Sequence, residues 1–307
     1  MSGRSVIEVL NPGALTTVQD LGRPGFAHLG IPRSGAADRV SLRRANRLVG
    51  NPDGFACLET TVVGPKLRML EPVRFALCGA PVKARLDGQP VAFNVAVTAP
   101  AGSVLAVGTS AGWLRTYLAV AGGIEAEAVF GSRSADLHSR IGPPPLHSGQ
   151  LLSVAVAPAA LNGSGCLGPA AEIGSWNAEG AGGERLTVAS ATAEGAIALR
   201  VLLGPRDHLF SNSAVEALLG SEFTVSSDVS RVGARLKGAP LRLKAEGELR
   251  SEPMVQGALQ VPPDGNPILL LSDHPTTGGY PVIAVLGSEE LALAGQLRPG
   301  RSVSFHL

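Results

Sequence analysis

Thirty-nine glycines and 23 prolines in 307 residues place a helix breaker at about every fifth position, and that spacing constrains the fold more than any other property of the chain. A helix needs about ten uninterrupted residues to bury a useful stripe. Short strands tolerate this punctuation because the turns between them require it. The expectation is therefore a mainly β protein with a few short helices.

One helix escapes the punctuation. Ser34 or Asp38 is placed to cap it, Leu42, Ala45, Leu48 and Val49 recur with helical period, and Gly50 stands where a C-terminal stop belongs. Its other face carries Arg39, Arg43, Arg44 and Arg47. Such a row is a solvated face or a grip for an acidic partner, and the solvated face is the simpler reading. Strand-like runs follow near 74–77, 82–86, 91–97, 104–107, 117–121 and 146–156. After a break they resume near 198–203, 256–261 and 268–271, with short helices expected at 213–219 and from Ser288. A low-complexity stretch rich in Ala, Gly and Ser divides the chain into a first domain over 1–156, a linker or variable excursion over 157–196, and a second domain over 197–307. Faint similarity between 107–121 and 271–285 suggests that the two halves are related by duplication.

Composition excludes several classes of function. A formal net charge of +1 gives no electrostatic case for nucleic acid or an anionic membrane as partner. Three widely spaced cysteines, Cys57, Cys78 and Cys166, form no metal-type or disulfide-type pattern. No Walker loop or HExxH occurs, and no metal site is expected. With no leader-like or membrane-length apolar segment, a cytoplasmic location is expected.

The densest polar motif is Ser272–Pro281, SDHPTTGGYP, which follows an apolar run. Asp273 is placed to orient a substrate N–H or act as a base. Gly278 and Gly279 would form an anion-binding nest beside Thr276, Thr277 and Tyr280. A tight turn closed by Asp273 is the plainer alternative. Gln19, Asp20 and Arg23 sit in a Gly-rich loop of fixed shape. Asp228, Arg231 and Arg235 form either an internal charge cluster or a guanidinium grip on a carboxyl group, and Arg133 and Arg140 lie in a second candidate loop. Glu59, isolated among apolar residues, is a candidate buried partner for an arginine.

In order along the chain, VQDLGRPGFAHLGIPRSGAADRVSLRRANRLVGN, YLAVAGGI, GSRSAD, SRVGARLKG, GALQVP and DHPTTGGYPVIAV resemble the biotin-dependent carboxyltransferase-domain family. That family includes the C subunit of bacterial 5-oxoprolinase, the KipA proteins, the so-called allophanate hydrolase subunit 2 and part of urea carboxylase. The resemblance implies two cyclophilin-like β-barrel domains and work in a complex with a B-type (KipI-like) subunit and an A-type subunit. The implied reaction is ATP-dependent opening of 5-oxo-L-proline to L-glutamate, with Mg2+ accompanying the ATP. The alternatives are transfer of a carboxyl group to urea or a similar amide from biotin carried on another protein, and a non-enzymatic KipA-like regulator. On this resemblance Asp273, Gln260 and Tyr280 are the expected catalytic residues. Thr276, Thr277, Gly278, Gly279, Arg231 and Arg235 are expected to bind substrate, with Gln19, Asp20 and Arg23 completing the pocket from the first domain.

Overall fold

The computed structural model describes residues 4–155, 195–244 and 249–307; the expected excursion over 157–196, with Cys166, lies almost wholly outside them. The described residues form two compact units, and neither is a single stretch of chain. One holds 4–21, Arg39–Ala135 and 141–155. The other holds Gly22–Asp38, Asp136–Arg140 and the described residues from 195 to 307.

The first unit is built from β1 (Arg4–Asn11), β2 (Thr16–Gln19), α1 (Arg39–Val49), β3 (Cys57–Thr61), β4 (Lys66–Met69), β5 (Val73–Gly79), β6 (Arg85–Leu86), β7 (Gln89–Pro90), β8 (Ala96–Ala99), β9 (Val104–Ala106), β10 (Arg115–Val120), β11 (Ile124–Glu125) and β12 (Leu151–Val154). Seven strands pair in the order β11-β12-β1-β4-β9-β6-β7 and five in the order β2-β3-β10-β5-β8. Alternate residues of both sheets meet in one core: Ile7, Val9, Leu67 and Leu105 from the first, Val18, Leu58, Phe75, Leu77 and Leu118 from the second. This is the period-two burial expected of facing sheets.

The other face of the five-stranded sheet is also buried, and it is polar. Thr17 stands opposite Glu59, Glu59 opposite Tyr117, and Tyr117 opposite Cys78, so these four side chains form one row across the sheet. Cys57 and Cys78 are buried thiols, and burial pushes the Cys57 thiol up, away from the reactive thiolate.

Helix α1 starts directly after Asp38, one of the two expected caps, and buries Leu42, Ala45 and Val49. It stops at Gly50, which takes a φ of 85° that suits glycine, with its N–H on the Arg47 carbonyl. Asn46, also on the buried face, donates to the Phe55 carbonyl at 2.8 Å and accepts from Asn51 at 2.9 Å. From the arginine face, Arg47 makes an exposed bidentate pair with Asp53, as a solvated face would. The strand expected over 91–97 begins only at Ala96, because Asn94 adopts a φ of 61° and breaks the extended run.

The second unit contains β13 (Ile197–Leu203), α2 (Asn212–Gly220), β14 (Phe223–Val229), β15 (Gly233–Lys237), β16 (Glu252–Pro253), β17 (Ala258–Gln260), β18 (Ile268–Leu270), β19 (Thr277–Gly278), β20 (Val282–Leu286), α3 (Leu291–Ala294) and β21 (Ser302–His306). Seven of its strands close into a barrel in the order β13-β20-β17-β18-β15-β14-β21. The closure leaves no free edge, and β16 and β19 form a separate two-stranded ribbon. Helix α2 is capped by Ser211, whose side chain accepts from the Ala214 N–H.

The early segment Gly22–Asp38 is fastened to this barrel unit by backbone and side chain alike. Gly295 abuts it so closely that a Cβ there would stand 2.2 Å from the Ala37 carbonyl oxygen. Gln296 donates to Asp38 at 2.8 Å.

Candidate functional site

The chain after β18 turns sharply, and its geometry fixes Asp273. The Asp273 N–H donates to the Arg231 carbonyl at 2.9 Å. The Arg231 guanidinium answers with Nε to Oδ2 at 2.8 Å and Nη2 to Oδ1 at 2.9 Å. Nη2 also donates to the Gly35 carbonyl at 2.6 Å. Both side chains are almost wholly buried, at 4% and 1% exposure. Arg231 therefore clamps an internal carboxylate and ties the 22–38 segment to the barrel. It does not present an open guanidinium to a substrate, and the charge it holds is that of Asp273.

Burial pushes the Asp273 carboxyl up, Arg231 pulls it back toward the ionised form, and Asp136 pushes it up again. The Ser34 hydroxyl faces the same carboxylate without closing a well-aligned hydrogen bond to it. Ser34 has a φ of 54°, a left-handed conformation that costs a serine on the order of 1 kcal/mol and persists only where the surroundings enforce it. Asp136 is 2% exposed. Its Oδ1 accepts from the His138 and Ser139 N–H groups at 3.0 Å each. His274, next to Asp273, directs Nδ1 to the Pro275 carbonyl at 2.8 Å. A carbonyl only accepts, so Nδ1 carries the proton and Nε2 keeps a lone pair. Burial holds this imidazole below its ordinary value of 6.5.

The Thr-Thr-Gly-Gly stretch enters the two-stranded ribbon and is not a nest. Thr277 and Gly278 are paired with Pro253 and Glu252 in the ribbon, and neither Gly278 nor Gly279 has a positive φ. Cross-strand pairing keeps the backbone extended, which removes the alternating turn conformations a nest requires. Gly278 is instead a point of close approach: a Cβ there would meet Met254 at 3.1 Å and Gln260 Oε1 at 3.3 Å. Gln260 pairs with Ile268, at the start of β18 and so at the end away from Asp273. On the same face of the barrel strands lie Ala258, Leu270 and Val282, which cluster with Met254. The Gln260 carboxamide is thus a polar group set among apolar ones beside the ribbon. Tyr280, 44% exposed, and Thr277 face solvent, while Thr276 accepts the Met254 N–H through its carbonyl.

Arg235 joins neither group. It points outward from β15 to Asp228 at 3.4 Å and Asp264 at 3.3 Å. Arg23 lies in the second unit, with its N–H on the Arg33 carbonyl at 2.7 Å. Gln19 and Asp20 belong to the first unit. There Asp20 accepts from Ser132 and Ser134 hydroxyls and the Arg133 N–H, each at 2.6 Å, an arrangement that shapes the GSRS loop. Gln19 donates to Thr17 and to the Ala135 carbonyl. Glu59 has its buried arginine, with Arg115 Nε at 3.5 Å, and also takes the Tyr117 hydroxyl at 2.7 Å.

Ser34 and Asp136 were not among the site residues expected from the sequence. Both occur in the quoted motifs, IPRSGAAD and GSRSAD, where a lone Ser beside Gly and a terminal Asp are the only signals.

The sequence pattern of the carboxyltransferase domain, subdomain A and B, matches residues 29–307. The C subunit of 5-oxoprolinase from Escherichia coli (strain K12) is 34% identical over 304 residues, which are 98% of this chain and 90% of that protein. Among solved structures, TTHA0988 superposes with a TM-score of 0.81 at 35% identity, covering 99% of this chain and 55% of its own. The urea amidolyase of K. lactis gives 0.84 at 28% identity, with 99% and 19% covered. The chain therefore spans about half the length of the first solved protein and about a fifth of the second.

Proposed function

Because the chain belongs to the carboxyltransferase domain family, subdomains A and B, we propose that it serves as the C subunit of an ATP-dependent 5-oxoprolinase, opening 5-oxo-L-proline to L-glutamate with B-type and A-type partner subunits. The observation that carries this reading is end-to-end similarity to the C subunit of a 5-oxoprolinase, over 98% of this chain and 90% of the relative. A lactam resists water, and ATP supplies the activation by turning the carbonyl oxygen into a leaving group. On this reading ATP, accompanied by Mg2+, is consumed by the assembled complex.

On this reading Asp273 is the acceptor for the ring N–H, fixed in direction by the bidentate Arg231 clamp. A carboxylate held this way reorients little as charge develops, which is the source of catalytic benefit in such sites. Gln260, Thr276, Thr277 and Tyr280 supply polar contacts from the ribbon side, where Tyr280 is open to substrate or to a partner subunit.

The test is ATP-dependent glutamate release from 5-oxo-L-proline by the chain co-expressed with its neighbouring B-type and A-type subunits, each omitted in turn. Turnover that needs this chain is the expected result. Its absence from a soluble, assembled complex refutes the reading. A second reading, carboxyl transfer from a biotin borne by another protein to urea or a similar amide, is favoured by the superposition on the K. lactis enzyme. Carboxylation of urea-like acceptors by the same preparation would establish it.

A further inference from the structure

Gln260 is 9% exposed, and among the described residues none hydrogen-bonds to its carboxamide. It points out of the barrel. Its neighbour Leu259 stands opposite Leu269 and Ala284, all three 0% exposed, so they face the interior and Gln260 faces the other way. Apolar atoms surround it there. A Cβ on Gly278 would stand 3.3 Å from Gln260 Oε1 and 3.1 Å from two atoms of Met254, and the cross-strand neighbours are Ile268 and Val282. A carboxamide placed like this weakens the fold that holds it.

The outward row that contains Gln260 runs in register from Val282 through Gln260 and Ile268 to Arg235. The Val261 N–H donates to the Pro281 carbonyl at 3.0 Å, which brings Tyr280 alongside. Tyr280 is 44% exposed, Gly279 is exposed, and Gly278 and Ile268 are half-buried. Arg235 is answered by Asp228 and Asp264, so the row offers no surplus charge to a phosphate or a nucleic acid. Its open features are an aromatic ring, an aliphatic side chain and one carboxamide.

That combination has a definite complement. A carboxamide carries a donor and an acceptor side by side, and an extended polypeptide presents the N–H and C=O of one residue toward the same side. Exposed Tyr beside an aliphatic side chain is the composition of an interface core. In TTHA0988 the part covered by this chain is 55% of a longer chain, so in that relative further polypeptide is joined to the same fold. We propose that the outer barrel face from Tyr280 through Gln260 to Ile268 is the docking surface for the B-type subunit. An extended segment of that subunit pairs its main-chain N–H and C=O with the Gln260 carboxamide and lays apolar side chains on Tyr280 and Ile268. This rests on the reading that the chain works with a B-type partner, and it puts that partner at the end of β18 away from Asp273.

The test reads two quantities for each variant of the full chain: Tm of the chain alone, and its affinity for the neighbouring B-type subunit by calorimetry without substrate or nucleotide. Gln260→Leu removes the unsatisfied carboxamide and keeps its volume. It should raise Tm by about 2 °C or more and weaken association about tenfold or more. Tyr280→Ala, at an exposed position, should leave Tm within about 1 °C and also weaken association about tenfold or more. A merely structural Gln260 would give the reverse pattern, a lower Tm with unchanged affinity, and that result overturns the proposal. So does full affinity in both variants, a wild-type chain that does not bind the B-type subunit, or a wild-type chain that instead forms a homodimer which Tyr280→Ala dissociates. Tight association that these substitutions weaken, with no glutamate release from the assembled complex, would retain the surface and refute the 5-oxoprolinase reading.

Discussion

Replacing Arg231 by Met removes the guanidinium and keeps most of the stem, so the change isolates the charge. Three hydrogen bonds vanish, at 2.8, 2.9 and 2.6 Å, and the Asp273 carboxylate, 1% exposed, is left in the interior with no cation. Breaking a buried pair from one side costs about 3–5 kcal/mol. For a chain of this size that corresponds to a fall of about 6–20 °C in Tm. The penalty depends on pH with a definite sign. Without Arg231 the main opposition to burial is gone, the Asp273 carboxyl moves further up, and the folded state binds a proton that the unfolded state has released. Stability of the variant therefore falls as pH rises above the ordinary carboxyl value of 3.8 and is partly regained on acidification. The assay is urea denaturation at pH 7 and pH 5 for Arg231→Met, Asp273→Leu and the double variant. Removing both charges together should cost less than the sum of the single changes by at least about 2 kcal/mol. Additive costs, or a single-variant loss below about 1 kcal/mol at pH 7, would refute the clamp.

Two further outcomes follow from named contacts. Because burial holds His274 below 6.5, the folded state resists protonation that the unfolded chain accepts; stability is complete above 6.5 and lost as pH falls below it. Tm of the wild type should then drop more steeply between pH 7 and 5 than that of His274→Gln, and parallel curves would contradict this. Gly295→Ala places a methyl 2.2 Å from the Ala37 carbonyl oxygen, so it should destabilise by about 1–3 kcal/mol, read by thermal melting. Stabilisation, the usual result of Gly→Ala at an unstrained site, would show that the contact is not tight.

The fold class was legible because glycine and proline act locally: the turns at Asp87-Gly88 and Gly102 need no distant partner to be read. Helix α1 was legible for the same reason, with its period, its stop at Gly50 and its position after Asp38 all contained within a dozen residues. The site was legible only where one motif held the whole signal. Asp273 stands out within SDHPTTGGYP, yet its partner Arg231 is 42 residues away and Gly35 lies 196 residues from Arg231. Nothing in the spacing of Arg231 and Arg235 indicates that one turns inward to a carboxylate and the other outward to Asp228 and Asp264. The glycines of the ribbon were misread for a related reason. Sequence shows that glycine is tolerated, and only the neighbour across the gap, here Met254, shows whether conformation or space requires it.

The interleaving of the two units has a bearing on how the protein is made. Gly35 leaves the ribosome 196 residues before Arg231, which at about 5–20 residues per second is an interval of about 10–40 s. During that time the 22–38 segment has been synthesised without the barrel that will fix it. Completion of the Asp273 clamp is therefore among the last events of biosynthesis, and a nascent chain stalled before β15 would carry a finished helix α1 alongside a segment still waiting for its anchor.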